Sequence, residues 1–592
     1  MRLPNLLATS RGRLVAFFFL YLTEGIPLGF AATAVATQLR RQDVGPAEIG
    51  AFIASFYLPW AFKWAFGPLI DVFASRRWGH RRGWILLTQT LMTLTLLSTV
   101  LLKLPEQLML FTVILLVHNT FGAMQDVAID ALAVSVLEEK ERGLANGIMF
   151  GGASIGQAVG GSGVLFLSAY TGFQATFWFV AACLMAVAAF VVLPMREPEA
   201  AVRAAVIGSK LADAGRRMRE FAIDAFRSFL GSRGAFSGML YSLLPIGAMC
   251  LGLALQSNLA VELGMDDDQV AWLNLWSTLI NAVCCVLGGW LSDRYGRRLT
   301  LGVFTALMSL PVVYLAVELQ RYGWVMPVSI NAANRPLVPA ALLFAFWVAT
   351  LVYNVFNGLM YGIHTALLMD VTNPRVAATQ FTAYMAMMNL AISYSATWQG
   401  IAIEAWGYPT TMLVDAVFGL SGLLLVPFVK PAAGGFVAND AGAPGRARGL
   451  AFALGLLCLV WLPYRLGQDA LGAAQPIAGT VFTLVFVGSA LFLLAASAVL
   501  GARTPRLARL AVWVAPLLLL MHLRYHIDAI AGWFGGGSAS AALTSTAELL
   551  IRVVPLLGGA LLLALAIRPW SELRPSPAAG PLPGPNPEPA AA

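Results

Sequence analysis

Long apolar stretches, separated by short polar turns, run through most of the chain. In the first half they lie at about 14–37, 48–71, 83–102, 108–137, 143–169 and 174–194. In the second half they lie at about 236–261, 270–292, 299–318, 337–370, 377–403 and 409–429. Most are near or above the ~20 residues that a helix needs to cross ~30 Å of hydrocarbon. The pattern predicts an all-α polytopic membrane protein, and we number these stretches spans 1 to 12.

Four more apolar stretches follow, which we number spans 13 to 16. They lie at about 449–466, 476–501, 507–526 and 548–568. Span 13 is short, so its length leaves open whether it crosses the membrane or re-enters on one side. Charge favours a full crossing, because the arginines at 446–448 and at 503–509 share a side only if spans 13 and 14 both cross.

Composition excludes a soluble protein. The chain has 592 residues, of which 59% are hydrophobic and 11% charged, with a mean hydropathy of +0.75. No soluble domain can bury so much apolar surface, so the bilayer must be the solvent. The five cysteines all lie in apolar stretches and are expected to act as small hydrophobic residues. We therefore expect no disulfide, no metal site and no cofactor.

Charge predicts the topology. The net charge of +8 fits arginines that hold cytoplasmic loops inside, and it requires no nucleic-acid partner. Sixteen spans would place about 29 of the 38 Lys and Arg residues on one side and about 7 on the other. We therefore expect both termini to be cytoplasmic.

These patterns divide the chain into six parts. We expect a six-helix bundle, a cytoplasmic interdomain loop, a second six-helix bundle, a linker, accessory transmembrane helices and a disordered tail. Their predicted boundaries are 1–194, 195–235, 236–430, 431–448, 449–570 and 571–592. The interdomain loop is rich in arginine and is expected to form one or two surface helices on the cytoplasmic face.

A charged turn occurs twice. Residues 67–82 read GPLIDVFASRRWGHRR, and residues 288–298 read GGWLSDRYGRR. In each copy an aspartate closes an apolar helix before a turn with several arginines, and such groups can pair across helix ends. We predict a gate at the cytoplasmic side of two similar halves. Its residues are Asp71, Arg81, Arg82, Asp293, Arg294, Arg297 and Arg298. The alternative is that these are ordinary charges at the edge of the membrane.

The spacing of this turn resembles the loop signature G-x-x-x-D-R-x-G-R-R of the major facilitator superfamily. The second copy, Gly289 to Arg298, matches it closely, and the first copy is longer by several residues. This resemblance implies the major facilitator fold, with two six-helix halves plus about four additional C-terminal transmembrane helices.

Further runs resemble the AmpG-type muropeptide permeases and their acetyl-CoA transporter relatives. They are FKWAFGPLID with GHRRGWILLTQ (62–89), MQDVAIDAL (124–132), ERG (141–143), AATQF (377–381) and EAWGYPT (404–410). The resemblance covers about 14–430. It implies proton-driven import of anhydro-muramyl cell-wall fragments across a bacterial inner membrane. The second charged turn is closer to ideal than in muropeptide permeases. A siderophore-importer branch shares several first-half residues, so a siderophore or a drug stays open as the substrate.

Four ionisable residues lie at membrane depth in the first half: Glu24, Lys63, Asp126 and Asp130. At 1.5 Å per residue, Glu24 lies roughly 15 Å from the cytoplasmic side, and Lys63 and Asp130 roughly 12 Å. These similar depths allow Lys63 to pair with any of the three carboxylates. A buried carboxylate that loses its partner favours the protonated form, which would couple proton entry to transport. The alternative is a static network that joins spans 1, 2 and 4.

Span 10 carries a second set of candidates. Tyr353, Asn357, Tyr361 and His364 recur at helical spacing and share one face. Aromatic rings and amides on such a face suit a sugar or amide substrate, and His364 can titrate between about pH 5 and 8. Gln380 in span 11 offers another donor. The alternative is that these polar residues only pack helices together.

Small residues in spans 1 and 5 indicate a bend in span 1 and close packing of span 5. Span 1 contains EGIPLG at 24–29, where proline and glycine permit a break or kink. Span 5 carries Gly152, Gly156 and Gly160 at spacings of four, which lets neighbouring helices pack closely or slide past each other during gating.

An enzyme and a membrane sensor are the two alternative function classes. His522, Arg524, His526 and Asp528 near the end of span 15 have H-x3-H spacing, but Arg524 would repel a cation, so we expect no enzyme. A membrane sensor that binds a ligand without transporting it is the other class. The expected partners are a small solute, protons and the bilayer, and the sequence leaves the oligomeric state open.

Overall fold

A computed structural model describes residues 5–73, 78–137, 142–197, 210–332, 335–372, 377–430, 439–500, 505–521, 524 and 538–574. Within these ranges eleven helices are long and apolar enough to cross a membrane. Each predicted span coincides with one helix or with a broken helix. The predicted all-α polytopic fold is therefore confirmed. We call the side where span 1 begins the proximal side and the side where it ends the distal side.

The first half contains spans 1 to 6. Span 1 continues through Pro27 into a π-helical segment, Phe30–Val35, and ends at Arg41, four residues beyond the predicted end. The helices are Ser10–Gly29, Ala36–Arg41, Pro46–Ala61, Phe66–Val72, Arg81–Ser98, Leu108–Val136, Arg142–Ala158, Val164–Thr171 and Phe173–Val187. Pro46 to Val72 form span 2, which is interrupted by a short turn, Lys63–Ala65.

The second half contains spans 7 to 12. Its helices are Arg233–Ser242, Ala254–Glu262, Asp267–Tyr295, Arg297–Arg321, Ala340–Asp370 and Ala377–Gly419. The last range contains spans 11 and 12, which are separated at Gly407, where φ is 81°. Span 8 begins at a capping box in which the side chains and backbone amides of Asp266 and Gln269 bond to each other. Gly296 separates spans 8 and 9 with a φ of 92°, which explains why the charged turn carries glycine at this position.

Two predicted spans of the second half differ from the structure. Span 7 was predicted to be continuous over 236–261, but its helix stops at Ser242 and resumes at Ala254. Pro245 has no N–H for a helical hydrogen bond, and Gly247 has a φ of 73°, so the chain leaves the helix there. Span 12 was predicted to reach 429, but its α-helix ends at Gly419 and short 3₁₀ turns follow.

The accessory helices form a unit with its own core. They are Ala443–Gly467, Gln475–Leu500, Pro505–Leu520 and Ser538–Ala566. The first has 25 residues, which is long enough for a full crossing and therefore favours that alternative for span 13. Phe226 and Leu230 of the interdomain helix, Lys210–Gly231, belong to the same apolar core.

The close approach of spans 1 and 5 confirms the packing predicted from glycine. A Cβ on Gly156 would lie 2.5 Å from the carbonyl oxygen of Leu22, and one on Gly160 would lie 1.9 Å from that of Ile26. Spans 2 and 11 meet in the same way, because a Cβ on Gly50 would lie 2.5 Å from the oxygen of Ala396. Glycine thus brings helix backbones together both within a half and between halves.

Candidate functional site

A buried ion pair joins spans 2 and 4. Lys63 lies in the turn that interrupts span 2, directly after the helix that contains Pro59. Its Nζ lies 2.9 Å from Oδ2 of Asp126, and the two side chains are only 13% and 5% exposed. The indole ring of Trp60 lies 6.0 Å from the same ammonium group. The structure therefore brings together the lysine and one of the carboxylates selected from the sequence.

The other two carboxylates lie beside this pair. Asp130 accepts a hydrogen bond from the hydroxyl of Tyr21, at 2.6 Å from Oδ1. Glu24 lies within electrostatic range of Asp126, Asp130 and Lys63. Its Oε1 is buried and has no hydrogen-bond partner among the described residues. We call these residues, Glu24, Lys63, Asp126 and Asp130, the charge cluster.

Sequence reasoning missed Tyr21, which precedes Glu24 by three residues and therefore faces the same way along span 1. The spacing could have identified it, although tyrosine is common in apolar helices. A second link was also missed: Gln125 donates to the hydroxyl of Thr23 at 2.8 Å, and both residues are buried. Spans 1 and 4 are thus joined by two hydrogen bonds, Tyr21 to Asp130 and Gln125 to Thr23.

The second half presents Tyr361 toward the charge cluster. Tyr361 is 42% exposed and lies within electrostatic range of Lys63 and of Tyr57, both in the first half. Asn357, one helical turn away on span 10, is half-buried. These two residues of the predicted span 10 face therefore remain accessible between the halves.

The remaining candidates of the second half lie inside its core. Tyr353 and His364 are buried, and the His364 ring packs edge-on against Tyr241 with centroids 5.0 Å apart. Neither His364 nitrogen has a hydrogen-bond partner within the described ranges. Gln380 is also buried and donates to the hydroxyl of Tyr384 at 3.2 Å. The structure therefore divides the span 10 face instead of presenting it as one surface.

The charged turns lie on the proximal side. Asp71 and Asp293 belong to the last turns of spans 2 and 8, but their side chains lie outside the part that the structure describes. In the first half, Arg82 Nε donates to the oxygen of Val192 at 3.1 Å, and its backbone N–H donates to Glu197 at 2.7 Å. The backbone N–H of Arg81 also donates to Glu197, at 3.1 Å. The start of span 3 is thus bound to the end of span 6.

The second charged turn makes a similar link within its own half. Arg297 Nη1 lies 2.5 Å from Oδ1 of Asp370, at the proximal end of span 10. The guanidinium of Arg294 lies 5.9 Å from the ring of Trp290, and Arg298 is exposed. Both turns therefore contain arginines that join helix ends inside one half.

A second buried ion pair closes the distal side. Arg40 lies at the end of span 1, and Glu262 lies at the end of span 7. Arg40 Nη2 is 2.5 Å from Glu262 Oε1, and the two side chains are 3% and 0% exposed. Glu262 also accepts hydrogen bonds from Tyr408 at 2.5 Å and from the backbone N–H of Val328 at 3.2 Å. The indole of Trp324 donates to it at 3.4 Å. We call Arg40 and Glu262 the distal lock.

Further polar contacts join the halves around this lock. Arg41 lies 2.6 Å from Asp267, and the N–H of Ala47 donates to Glu404 at 2.9 Å. The sequence showed only that charges follow the apolar stretches at these positions, as they do at most helix ends. Pairing between residues more than 200 positions apart required the tertiary structure.

Of the four polar residues around the H-x3-H spacing in the accessory unit, the structure describes only Arg524. His522, His526 and Asp528 lie outside the described residues. Arg524 stacks 5.2 Å from the ring of Trp461 and donates to the oxygen of Gly479 at 2.7 Å. Its guanidinium therefore has a packing role inside the accessory unit.

Comparison with known proteins identifies relatives for most of the chain. The family model of the Major Facilitator Superfamily matches residues 14–246 and 238–462. The anhydromuropeptide permease of Escherichia coli (strain K12) is 24% identical over 420 residues, which cover 70% of this chain and 79% of the relative. Putative transporter AmpG 4 of Rickettsia conorii is 23% identical over 427 residues, covering 71% and 96%.

Solved structures share the fold at lower identity. A D-xylose–proton symporter has a TM-score of 0.53 and 12% identity, with 71% of this chain and 97% of that chain covered. The nucleoside transporter NupG has a TM-score of 0.51 and 14% identity, with 71% and 100% covered. These structures share the fold of about seven-tenths of the chain, and both are transporters.

Proposed function

The chain belongs to the major facilitator superfamily, and from that premise we propose that it is a proton-coupled symporter that imports anhydro-muropeptides for cell-wall recycling. The similarity to the anhydromuropeptide permease of Escherichia coli supports this substrate class. We propose the bacterial inner membrane as its location, with the proximal side and both termini in the cytoplasm, because the Lys and Arg residues are concentrated on that side.

The observation that carries the proton coupling is the composition of the charge cluster. It contains three carboxylates, Glu24, Asp126 and Asp130, and one ammonium group, Lys63. One lysine can balance only one carboxylate, so the other negative charges at membrane depth require protons or another cation. Tyr21 already bonds to Asp130, which leaves Glu24 as the carboxylate with an unpartnered buried oxygen among the described residues.

Tyr57 and Tyr361 suit a substrate that carries sugar rings. They come from opposite halves, and Tyr361 lies within electrostatic range of both Tyr57 and Lys63. A solute between the halves would therefore meet two aromatic rings, with the lysine beside one of them. Aromatic rings pack against the apolar faces of sugars, and lysine attracts the carboxylates of a peptide stem or a lactyl group. We propose that Asn357 adds an amide contact at the same level.

The distal lock supports alternating access. In this conformation Arg40 and Glu262 hold the distal ends of the two halves together, so a solute in the central space would exit toward the proximal side. We propose that the two charged turns, with Asp71 and Asp293, stabilise the opposite conformation on the proximal side. In that conformation the distal lock would separate and admit a solute from the periplasm.

Uptake into proteoliposomes tests this function. The purified chain would be reconstituted, and accumulation of a labelled anhydro-muropeptide would be measured with and without an inward proton gradient. We expect accumulation above the external concentration only with the gradient. Equal uptake in both conditions would contradict proton coupling, and no uptake in either would reject the proposed substrate.

A siderophore is the second candidate, favoured by the near-ideal charged turn at Gly289 to Arg298. A strain that lacks the gene separates the two. Anhydro-muropeptides that accumulate outside the cytoplasm support the first candidate, whereas failure of iron uptake supports the second. A protein that binds the solute but never concentrates it would instead be a sensor.

A further inference from the structure

Span 7 contains a break that needs polar partners inside the membrane. Between Ser242 and Ala254 the only regular element is the 3₁₀ turn Cys250–Gly252. A non-helical backbone at this depth leaves N–H and C=O groups without helical hydrogen bonds, and each unsatisfied group is costly in hydrocarbon. Such a break persists only if neighbouring helices supply those bonds.

Spans 11 and 12 supply them. Asp415 of span 12 accepts hydrogen bonds through Oδ2 from the backbone N–H groups of Met249 at 2.8 Å and Cys250 at 2.9 Å. Gln399 of span 11 donates to its other oxygen, Oδ1, at 2.7 Å. Elsewhere in the break, Tyr394 donates to the oxygen of Leu243 at 2.7 Å. Asp415 is therefore the acceptor for two consecutive amides of the break.

The carboxylate has no evident role other than this one. Asp415 is completely buried. The titratable groups that face it are Cys250, whose thiol bonds to it, and Tyr353 of span 10. Neither of them is a cation, and no ion pair with Asp415 occurs within the described ranges. Hydrogen bonds to a charged acceptor are about twice as strong as neutral ones, so Asp415 stabilises the break more than a neutral residue would.

The break lies between the core of the second half and the distal lock. On one side, Gly252 approaches Tyr353 so closely that a Cβ would lie 2.8 Å from the tyrosine hydroxyl. On the other side, the short helix Ala254–Glu262 ends at Glu262 of the distal lock. A change in the angle at the break would therefore move Glu262 relative to Arg40.

We propose that Asp415 is a positioning residue for transport: its carboxylate fixes the break in span 7 and thereby sets the direction in which Ala254–Glu262 points toward the first half. Asp415 acts through the backbone amides of Met249 and Cys250 and contacts no solute. The effect on transport rests on the proposed function, whereas the effect on the break does not.

Modification of Cys250 by N-ethylmaleimide tests the effect on the break. The full-length chain would keep Cys250 as its only cysteine, with the other four, Cys183, Cys284, Cys285 and Cys458, replaced by serine or alanine. Because Cys250 is buried, the parent should react slowly in detergent, as measured by mass spectrometry. Asp415→Asn keeps the shape but removes the charge and one acceptor oxygen, and we expect modification about tenfold faster.

Thr411→Val is the matched control. Thr411 is buried one turn earlier on span 12, and among the described residues its hydroxyl bonds only to the oxygen of Gly407, where span 12 begins. This variant should react like the parent. If Asp415→Asn does not fold, Gln399→Leu provides a milder test, because it removes only the donor to Oδ1, and we expect about threefold faster modification. If Cys250 is modified at the parent rate in a folded Asp415→Asn or Gln399→Leu variant, the proposal is overturned.

Uptake measurements separate a positioning role from simple loss of fold. Normalised to folded protein, Asp415→Asn should lower the maximal rate about tenfold and change KM less than about twofold, because no solute contact is lost. Asp415→Glu should restore part of the rate. If Cys250 is modified faster but uptake per folded protein equals that of the parent, the transport part of the proposal is wrong. If the parent itself transports nothing, the proposed function fails and the Cys250 rate still decides the role of Asp415.

Discussion

At the residue scale, the charge cluster shows how far depth along a helix predicts contacts. Counting residues from the ends of spans 2 and 4 placed Lys63 at the level of Asp130 and within reach of Asp126, one turn deeper. In the structure, Lys63 Nζ lies 2.9 Å from Asp126 Oδ2. Residue counting does not predict which of the three carboxylates pairs with Lys63, because the rotation of each helix about its axis depends on the helices packed against it. The roles of these residues in coupling remain predictions.

Asp126→Asn tests the coupling role. The variant keeps a side chain of the same shape but cannot exchange a proton, so we expect a folded, membrane-inserted protein without proton-driven accumulation. Solute exchange across the membrane in the absence of a gradient should persist. The measurement is uptake into proteoliposomes over a range of external pH.

Asp268→Asn is the control for this variant, since it makes the same change at an exposed position. It should transport like the parent. Normal accumulation by Asp126→Asn over the whole pH range would remove the coupling claim.

The distal lock can be tested by a double-mutant cycle. Removing one partner of a buried ion pair leaves an uncompensated charge and costs about 3–5 kcal/mol. Arg40→Gln and Glu262→Gln should therefore each lower the midpoint of thermal unfolding. The double variant should lose less stability than the two single variants lose together. Glu404→Gln, an exposed contact between the halves, should cost no more than about 1 kcal/mol. Additive losses for Arg40 and Glu262 would mean that the pair does not stabilise this conformation.

At the element scale, glycine spacing predicted that span 5 packs closely against a neighbouring helix, and the structure shows that this neighbour is span 1. The break in span 7 was missed. Spacing of small residues by four is a direct geometric requirement of close helix packing. Pro245 and Gly247 were visible in span 7, but similar residues occur within span 1, which stays helical through Pro27. The difference is that Asp415 and Tyr394 satisfy the open backbone in span 7.

Gly156→Leu tests the contact of spans 1 and 5. A Cβ at this position would lie 2.5 Å from a backbone oxygen and 2.9 Å from a backbone nitrogen of span 1, so the helices would have to separate. We expect a loss of stability of about 1–3 kcal/mol, measured as a lower midpoint of thermal unfolding.

Gly151→Ala, on the same helix, serves as the comparison, because a Cβ on Gly151 would meet no atom of another helix within 4 Å. It should unfold like the parent. Equal stability of Gly156→Leu would show that this contact tolerates a wider spacing than the structure has.

At the scale of the whole molecule, the transporter class and the resemblance to AmpG-type permeases are confirmed by the family model and the relatives. The domain boundaries remain a prediction. The accessory unit is the part that the two-half architecture does not explain, and the interdomain helix connects it to the rest. Phe226 packs on Phe492 and Trp570, while Phe229, on the same helix, packs on Tyr384 of the second half.

Removal of 449–592 tests whether the accessory unit is needed for transport. We expect normalised uptake to persist, because the charge cluster and the distal lock lie outside this part. The unfolding midpoint should fall by a few degrees, because Phe226 and Leu230 lose their apolar cover.

Phe226→Ala in the full chain weakens the contact between the interdomain helix and the accessory unit while keeping the accessory unit itself. It creates a cavity in the accessory core and should lower the unfolding midpoint while uptake per folded protein stays normal. Loss of uptake in the truncated chain, with normal uptake in Phe226→Ala, would give the accessory unit a direct part in transport.

Apolar and polar positions along the chain were enough to predict the membrane setting, most of the spans, the two similar halves and the few ionisable residues at membrane depth. Apolar length and charge placement decide these features, because they depend on each segment and its solvent. The tertiary structure alone decided which charges meet, including Arg40 with Glu262, and why span 7 can break beside Asp415. These depend on how helices rotate and pack against partners distant in the chain, and periodicity along one helix contains no such information.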